Sequence, residues 1–177
     1  MFTNPEQNIL QLGLKEGMRV ADFGAGTGFY SRAASSRVGL TGRVYAIEVQ
    51  KDLVKKLESD IESWGLNNID CLWADIEMKN SIKIADGSLD AIIISNVLFQ
   101  ADDKLGLIDE AKRLLKKGGE ILLIDWKESF NGLGPTPENI VTESRAQELF
   151  TGRGFLFIKT IPESPHHYGI IFKYESR

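Results

Sequence analysis

The sequence predicts a doubly wound α/β domain: a mostly parallel seven-stranded sheet with a C-terminal antiparallel hairpin. Three observations carry that expectation. Short apolar, β-rich runs alternate with longer amphipathic segments as far as Trp126. The segments between those runs are long enough for helical crossovers joining parallel strands. The last two β-rich runs, by contrast, are separated only by Pro162–His167, which permits a hairpin and no crossover.

The elements follow in order. Met18–Phe23 is a strand ending at the cluster Gly24-Ala25-Gly26-Thr27-Gly28, and Phe29–Val38 is the helix after it. Arg43–Ile47 is the second strand. Lys51–Trp64 is a helix with Leu53, Val54, Leu57 and Ile61 on one face and Gly65 at its C-cap. Ile69–Ala74 is the third strand. Leu89–Ser95, apolar on both faces, suits a central parallel strand. A helix over Lys104–Leu115 turns Leu105, Ile108, Ala111, Leu114 and Leu115 inward and stops at Gly118-Gly119. Glu120–Ile124 is the fifth strand. Phe130–Asn139, with Gly132, Gly134, Pro135 and Pro137, is the one long loop and a candidate lid. Thr142–Phe150 is the last helix, and Phe155–Ile161 and Tyr168–Tyr174 form the hairpin.

Composition narrows the class. A chain of 177 residues is expected to be one domain, residues 1–177, with its own core. Its 21 Lys and Arg against 25 Asp and Glu give a net charge of −4, with no basic stripe, so nucleic acid is not an expected partner. Cys71 is the single cysteine, which excludes a disulfide framework and any Cys-clustered zinc or iron–sulfur site. The longest apolar run, Ala91–Phe99, is broken by Ser95 and Asn96 and too short for a membrane span. The first residues contain Glu6 and no basic n-region, so no secretory signal is read there. A soluble cytoplasmic protein is expected, with an oligomeric state that the sequence does not reveal.

Ligands of open α/β sheets bind at the carboxyl ends of the strands, where strand order reverses. Four polar strand ends meet that rule: Asp22 with its glycines, Glu48-Val49, Asp75-Ile76 and Asn96. A glycine-rich turn lets a ligand touch bare backbone, or is simply a turn. Glu48 stands 20 residues beyond Gly28 at the end of the next strand, where a carboxylate can accept both hydroxyl protons of a ribose. Its alternative is a solvated loop carboxylate. Together the two features point to a nucleoside-containing cofactor. A dinucleotide fingerprint would need glycine at position 29, where Phe29 stands, and Asp22 would repel a pyrophosphate while suiting an ammonium group. An NAD-dependent oxidoreductase is therefore disfavoured.

At these residues the chain resembles the class I S-adenosylmethionine-dependent methyltransferases. VADFGAGTGFY (Val20–Tyr30) is similar to their first motif, and VYAIEVQ (Val44–Gln50) to their second-strand acidic motif. WADIE (Trp73–Glu77), ADGSLDAIIISNVLFQ (Ala85–Gln100) and LLKKGGEILLIDW (Leu114–Trp126) resemble the later strand motifs. The resemblance implies a Rossmann-like methyltransferase fold, with residues 1–127 as the cofactor-binding half and 128–177 as lid loop, helix and hairpin. It implies S-adenosylmethionine as cofactor, with Gly24, Gly26 and Gly28 along the methionine and ribose and Asp22 near the amino group. Glu48 would hold the ribose hydroxyls, Val49 the adenine face, and Asp75 the exocyclic amine with the Ile76 backbone beside the ring. Asn96 would offer its carbonyl to the ammonium. Asp75 also reads as a turn cap.

Absent motifs narrow the acceptor to a small molecule. Ser95-Asn96-Val97-Leu98 lacks the Asn/Asp-Pro-Pro-aromatic box of exocyclic-amine enzymes, and Cys71 lies in an apolar strand rather than beside a proline. Arsenite methyltransferases need several thiols. Trp126 follows Asp125 where a metal-dependent enzyme would want Asn, so no metal is expected. Methyl transfer needs mainly alignment and exclusion of water, with a base only for a protonated acceptor. His166 and His167 are the only histidines and so the candidate bases, or else an exposed turn. Tyr30, Phe99 and Trp126 line the expected acceptor pocket, or pack in the core. A non-catalytic S-adenosylmethionine-binding subunit, completed by a partner, is the alternative function.

Overall fold

The computed structural model describes residues 3–130 and 132–175. Its strands are β1 (Arg19–Phe23), β2 (Arg43–Glu48), β3 (Ile69–Trp73), β4 (Leu89–Ser95), β5 (Leu115–Trp126), β6 (Phe155–Ile161) and β7 (His167–Tyr174). Its helices are α1 (Pro5–Leu12), α2 (Phe29–Val38), α3 (Lys51–Trp64), α4 (Lys104–Leu114) and α5 (Glu143–Thr151). All seven strands form one sheet in the order β3-β2-β1-β4-β5-β7-β6. The first five are parallel, and β7 is antiparallel to both β5 and β6. Strand order reverses between β1 and β4, so their carboxyl ends open a crevice.

Alternation along the strands divides the core in two. Val20, Ala91 and Ile93 face α1, α2 and α3, meeting Ile9, Leu12, Ala34, Val38, Leu57 and Ile61. Ala21, Phe23, Ile92 and Ile94 face the other way, onto Leu107, Ile108, Ala111 and Leu114 of α4 and Ala146 and Phe150 of α5. Ile92, Ile93 and Ile94 are wholly buried, each contributing about 1.5–3 kcal/mol through removal from water. Among the described residues, no helix is long and apolar enough to cross a membrane.

Three expectations need correction, and one helix was not foreseen. The residues before β1 form the helix α1: the Asn4 side chain caps it by accepting from Gln7 N–H, Pro5 opens it, and Gly13 ends it in the left-handed region. α4 stops at Leu114, not at Gly118-Gly119; Leu115 already pairs with Leu89, and the ladder resumes at Ala91 opposite Glu120 after an irregularity. Leu105 is 40% exposed, while Leu107, one face round the helix, is buried in its place. Finally, the β3–β4 connection carries no helix. Ile82 and Ile84 still bury there, and Glu110 of α4 accepts the N–H groups of Asn80 and Ile82 at 3.0 and 3.4 Å. Arg113, paired to Glu110 at 2.6 Å, donates to the carbonyls of Ile82 and Ile84. A buried ion pair thus stands in for the missing backbone ladder. The expected lid lies in the loop after β5, held by reciprocal Phe130–Leu133 backbone bonds; its residue Asn131 lies outside the described residues.

Candidate functional site

A cavity of about 520 Å³ opens at the carboxyl ends of β1, β2, β3 and β4, within the range of small-molecule sites. Asp22, Gly24, Gly26, Glu48, Val49, Asp75, Ile76 and Asn96 all line it, brought together from four strand ends across the reversal of strand order. Tyr30 lines it too. Gly28, Phe99, Trp126, His166 and His167 do not.

The glycine turn has two jobs. Gly24 and Ala25 donate their N–H groups to the Ile47 carbonyl, which joins the turn to β2. Gly26, at φ +51°, has only the Gly24 carbonyl near its missing Cβ, 3.9 Å away, so its bare backbone faces the cavity. Gly28 is different. A Cβ there would lie 2.3 Å from Leu57 and 3.3 Å from Trp64, so this glycine lets α3 approach the turn.

Glu48 is buried, and its carboxylate is fully oriented. Oε1 accepts from Val49 N–H at 2.9 Å and Gln50 N–H at 3.0 Å, and Oε2 accepts from Gly26 N–H at 3.2 Å. Asp22 lies below the turn. Burial pushes its carboxyl up to about 6, and the Ser31 hydroxyl, donating at 2.6 Å, holds back a larger rise. Asp75 caps its own turn, accepting from Glu77 N–H at 2.9 Å, and it also lines the cavity.

Asn96 occupies the left-handed region at φ +58°, an uncommon conformation for a residue other than glycine but one that asparagine tolerates. Its carbonyl accepts from Gln100 Nε2 at 2.9 Å, and its buried side-chain Oδ1 has no hydrogen-bond partner among the described residues. An unpaired acceptor lining a cavity calls for a donor from a ligand. Tyr30 also lines the cavity: its hydroxyl accepts from Asn8 Nδ2 at 2.9 Å and meets the side chains of Ser95 and Thr3. Burial raises the pKa of this phenol.

Sequence reasoning missed Thr3, Pro5, Ser31 and Gln100. The first two come with α1, whose signal is the Asn4-Pro5 pair with Gly13. Gln100 lies four residues past Asn96, a spacing that brings its amide back onto that carbonyl.

The remaining expected acceptor residues form a separate cluster beyond the cavity. Asp125 accepts from Phe99 N–H at 2.9 Å and Trp126 N–H at 2.8 Å, and burial pushes its carboxyl up to about 7. His167 is wholly buried, its ring centroid 4.1 Å from that of Trp126 and its Nδ1 2.8 Å from the Ser164 hydroxyl. It is therefore no exposed turn residue, and burial pushes its pKa down to about 4. His166 stacks on Phe130 at 3.9 Å and pairs with Glu128 at 2.8 Å.

Residues 14–170 match a family described as a methyltransferase domain. An arsenite methyltransferase of Aquipseudomonas alcaligenes is 32% identical over 116 residues, covering 63% of this chain and 34% of that protein. The ubiquinone/menaquinone biosynthesis C-methyltransferase UbiE of Haemophilus ducreyi is 28% identical over 117 residues, covering 66% and 44%. The chain thus spans less than half the length of these relatives. The crystal structure of a SAM-dependent methyltransferase from Aquifex aeolicus superposes with a TM-score of 0.89 at 30% identity, covering 97% of this chain and 90% of that one.

Proposed function

The chain belongs to the methyltransferase-domain family, and we propose that it binds S-adenosylmethionine and passes the methyl group to a small-molecule acceptor. The observation that carries this reading is the lining of the cavity: Asp22, Glu48, Asp75 and Glu77 contribute to it, and no described Lys, Arg or His does. Such a surface repels a pyrophosphate and suits a ligand carrying an ammonium and a sulfonium. Glu48 would take the ribose hydroxyls, Asp75 and Ile76 the adenine edge, Val49 its face, and Asn96 and Asp22 the ammonium end. Bound there, the cofactor supplies an activated methyl group. The chain's part is to orient the acceptor, exclude water and present Gly26 as bare backbone.

The acceptors named for the relatives do not carry over unaltered. Cys71 is the one thiol, half-buried, and burial with Glu58 and Asp70 nearby pushes it up to about 11, so arsenite held by several thiolates has no site here. A nucleic-acid acceptor would meet the acidic cavity rim. Residues 1–177 are read as one domain, located in the cytoplasm, with the hairpin half completing the acceptor side. A base role for His166 or His167 would require the loop carrying Glu128 and Phe130 to shift, because neither ring reaches the cavity.

Titration calorimetry tests the reading. S-adenosylhomocysteine should bind and NAD should not; the reverse result overturns it. Turnover by the isolated chain, with acceptors chosen from small molecules that co-purify with it, separates an enzyme from a non-catalytic binding subunit.

A further inference from the structure

A second cleft, of about 290 Å³, lies beside the first. Thr3, Asn4, Gln7 and Asn8, at the start of α1, form one wall, and Glu163 and Ser164, in the β6–β7 turn, form the other. The two spaces share Thr3, and the Tyr30 hydroxyl joins them, bonded to Asn8 of the second and meeting Ser95 of the first. Glu163 Oε1 accepts from its neighbour Ser164 N–H at 3.2 Å. Its Oε2 is shielded from solvent and has no hydrogen-bond partner among the described residues. A carboxylate oxygen out of water and without a donor is costly, and a cationic donor offsets that cost best, through a charge-assisted bond.

Charge points the same way. Across both linings the described residues supply five carboxylates, Asp22, Glu48, Asp75, Glu77 and Glu163, and no Lys, Arg or His. An anionic acceptor would meet one sign of charge throughout.

Resting on the methyl-transfer reading, we propose that this cleft anchors the acceptor, and that Glu163 receives the ammonium or amine N–H of a small amine. The cleft lies next to the cofactor cavity without overlapping the ribose and adenine contacts, so both ligands can be held at once.

The test is an NMR titration of the full chain saturated with S-adenosylhomocysteine, using 1,4-diaminobutane and, as its anionic counterpart, succinate. Diamine is expected to shift the amides of Thr3, Asn4, Gln7, Asn8, Glu163 and Ser164 saturably, and succinate is expected not to. In E163Q the diamine affinity should fall at least tenfold while S-adenosylhomocysteine affinity and melting temperature stay at wild-type values. Equal diamine binding by E163Q, absence of diamine shifts at these residues, or succinate binding as tight as diamine each overturns the proposal. Failure of S-adenosylhomocysteine to bind the wild-type chain would instead overturn the methyl-transfer reading. If E163Q unfolds, S164A with E163D serves: the carboxylate-retaining pair should keep the diamine shifts, and their loss counts against the proposal.

Discussion

Glu48 Oε2 accepts the Gly26 N–H at 3.2 Å, so the acid that ends β2 is anchored to the glycine turn that ends β1. With Oε1 held by Val49 and Gln50, the carboxylate is oriented before any ligand arrives. Pre-orientation removes part of the entropic cost of binding. Glu48→Ala should therefore weaken S-adenosylhomocysteine by about 1–3 kcal/mol, the range for losing hydrogen bonds to a charged acceptor. Calorimetry on the folded variant decides it, and an unchanged affinity removes Glu48 from the ribose.

The glycines of the turn should separate by phenotype. Gly28→Ala drives a methyl into Leu57 and Trp64 at a positive φ of 77°, so it should destabilise the fold by about 1–3 kcal/mol through overpacking. Gly26→Ala meets open space and should cost only about 1 kcal/mol of backbone strain, yet it should impair cofactor binding because the added carbon faces the cavity. Denaturant unfolding and calorimetry on the two variants provide the check. Equal losses of stability would mean that the turn is a packing device throughout.

That contrast marks where the sequence stops being legible. Strand ends, the acidic residue 20 positions past the glycines and the hairpin are local patterns with a period or a spacing, whereas the order of strands in the sheet is read only from the structure. Which glycine serves packing and which leaves bare backbone on the cavity depends on Leu57 and Trp64, some thirty residues away, and no local pattern reports that. The helix-less β3–β4 connection was equally hidden. Its stability comes from Glu110 and Arg113 on α4, whose i,i+3 spacing reads as an ordinary surface pair although Glu110 is wholly buried. The histidines went the same way: beside prolines in a short turn they look solvated, but Trp126 arrives from another strand to bury His167.

Asp22 should make binding and stability respond to pH in opposite senses. Its folded carboxyl titrates near 6, above the ordinary 3.8, so the fold favours the protonated form. Its contribution to stability is complete below 3.8 and is lost as pH rises through about 6, by an amount on the order of 3 kcal/mol at most. An ammonium ligand favours the ionised form, so S-adenosylhomocysteine affinity should rise as pH passes 6 and then level off. Asp22→Asn keeps an acceptor for Ser31 and should flatten both curves. Denaturant unfolding and calorimetry between pH 4.5 and 7.5 test this, and an affinity curve in the variant as steep as in the wild type places the ammonium elsewhere.

His167 tests the acceptor side. Its pKa is pushed down to about 4, so the fold favours the neutral ring: its stabilising contribution is whole above 6.5 and is lost as pH falls from there toward 4. That is the reverse of Asp22, and His167→Gln should remove this acid-side loss while leaving the Asp22 effect in place. The same ring would already be neutral above pH 5, so as a base it could not give a rate that rises through 6.5. With neither ring on the cavity, the proposed methyl transfer is expected to need no histidine base. The expected result for His166→Ala combined with His167→Gln, assayed with a working acceptor, is turnover within about threefold of wild type, far from the 10²-fold or greater loss expected on removing a general base. A loss of that size, with S-adenosylhomocysteine affinity intact, would show that the loop carrying Glu128 and Phe130 moves to bring a histidine onto the acceptor.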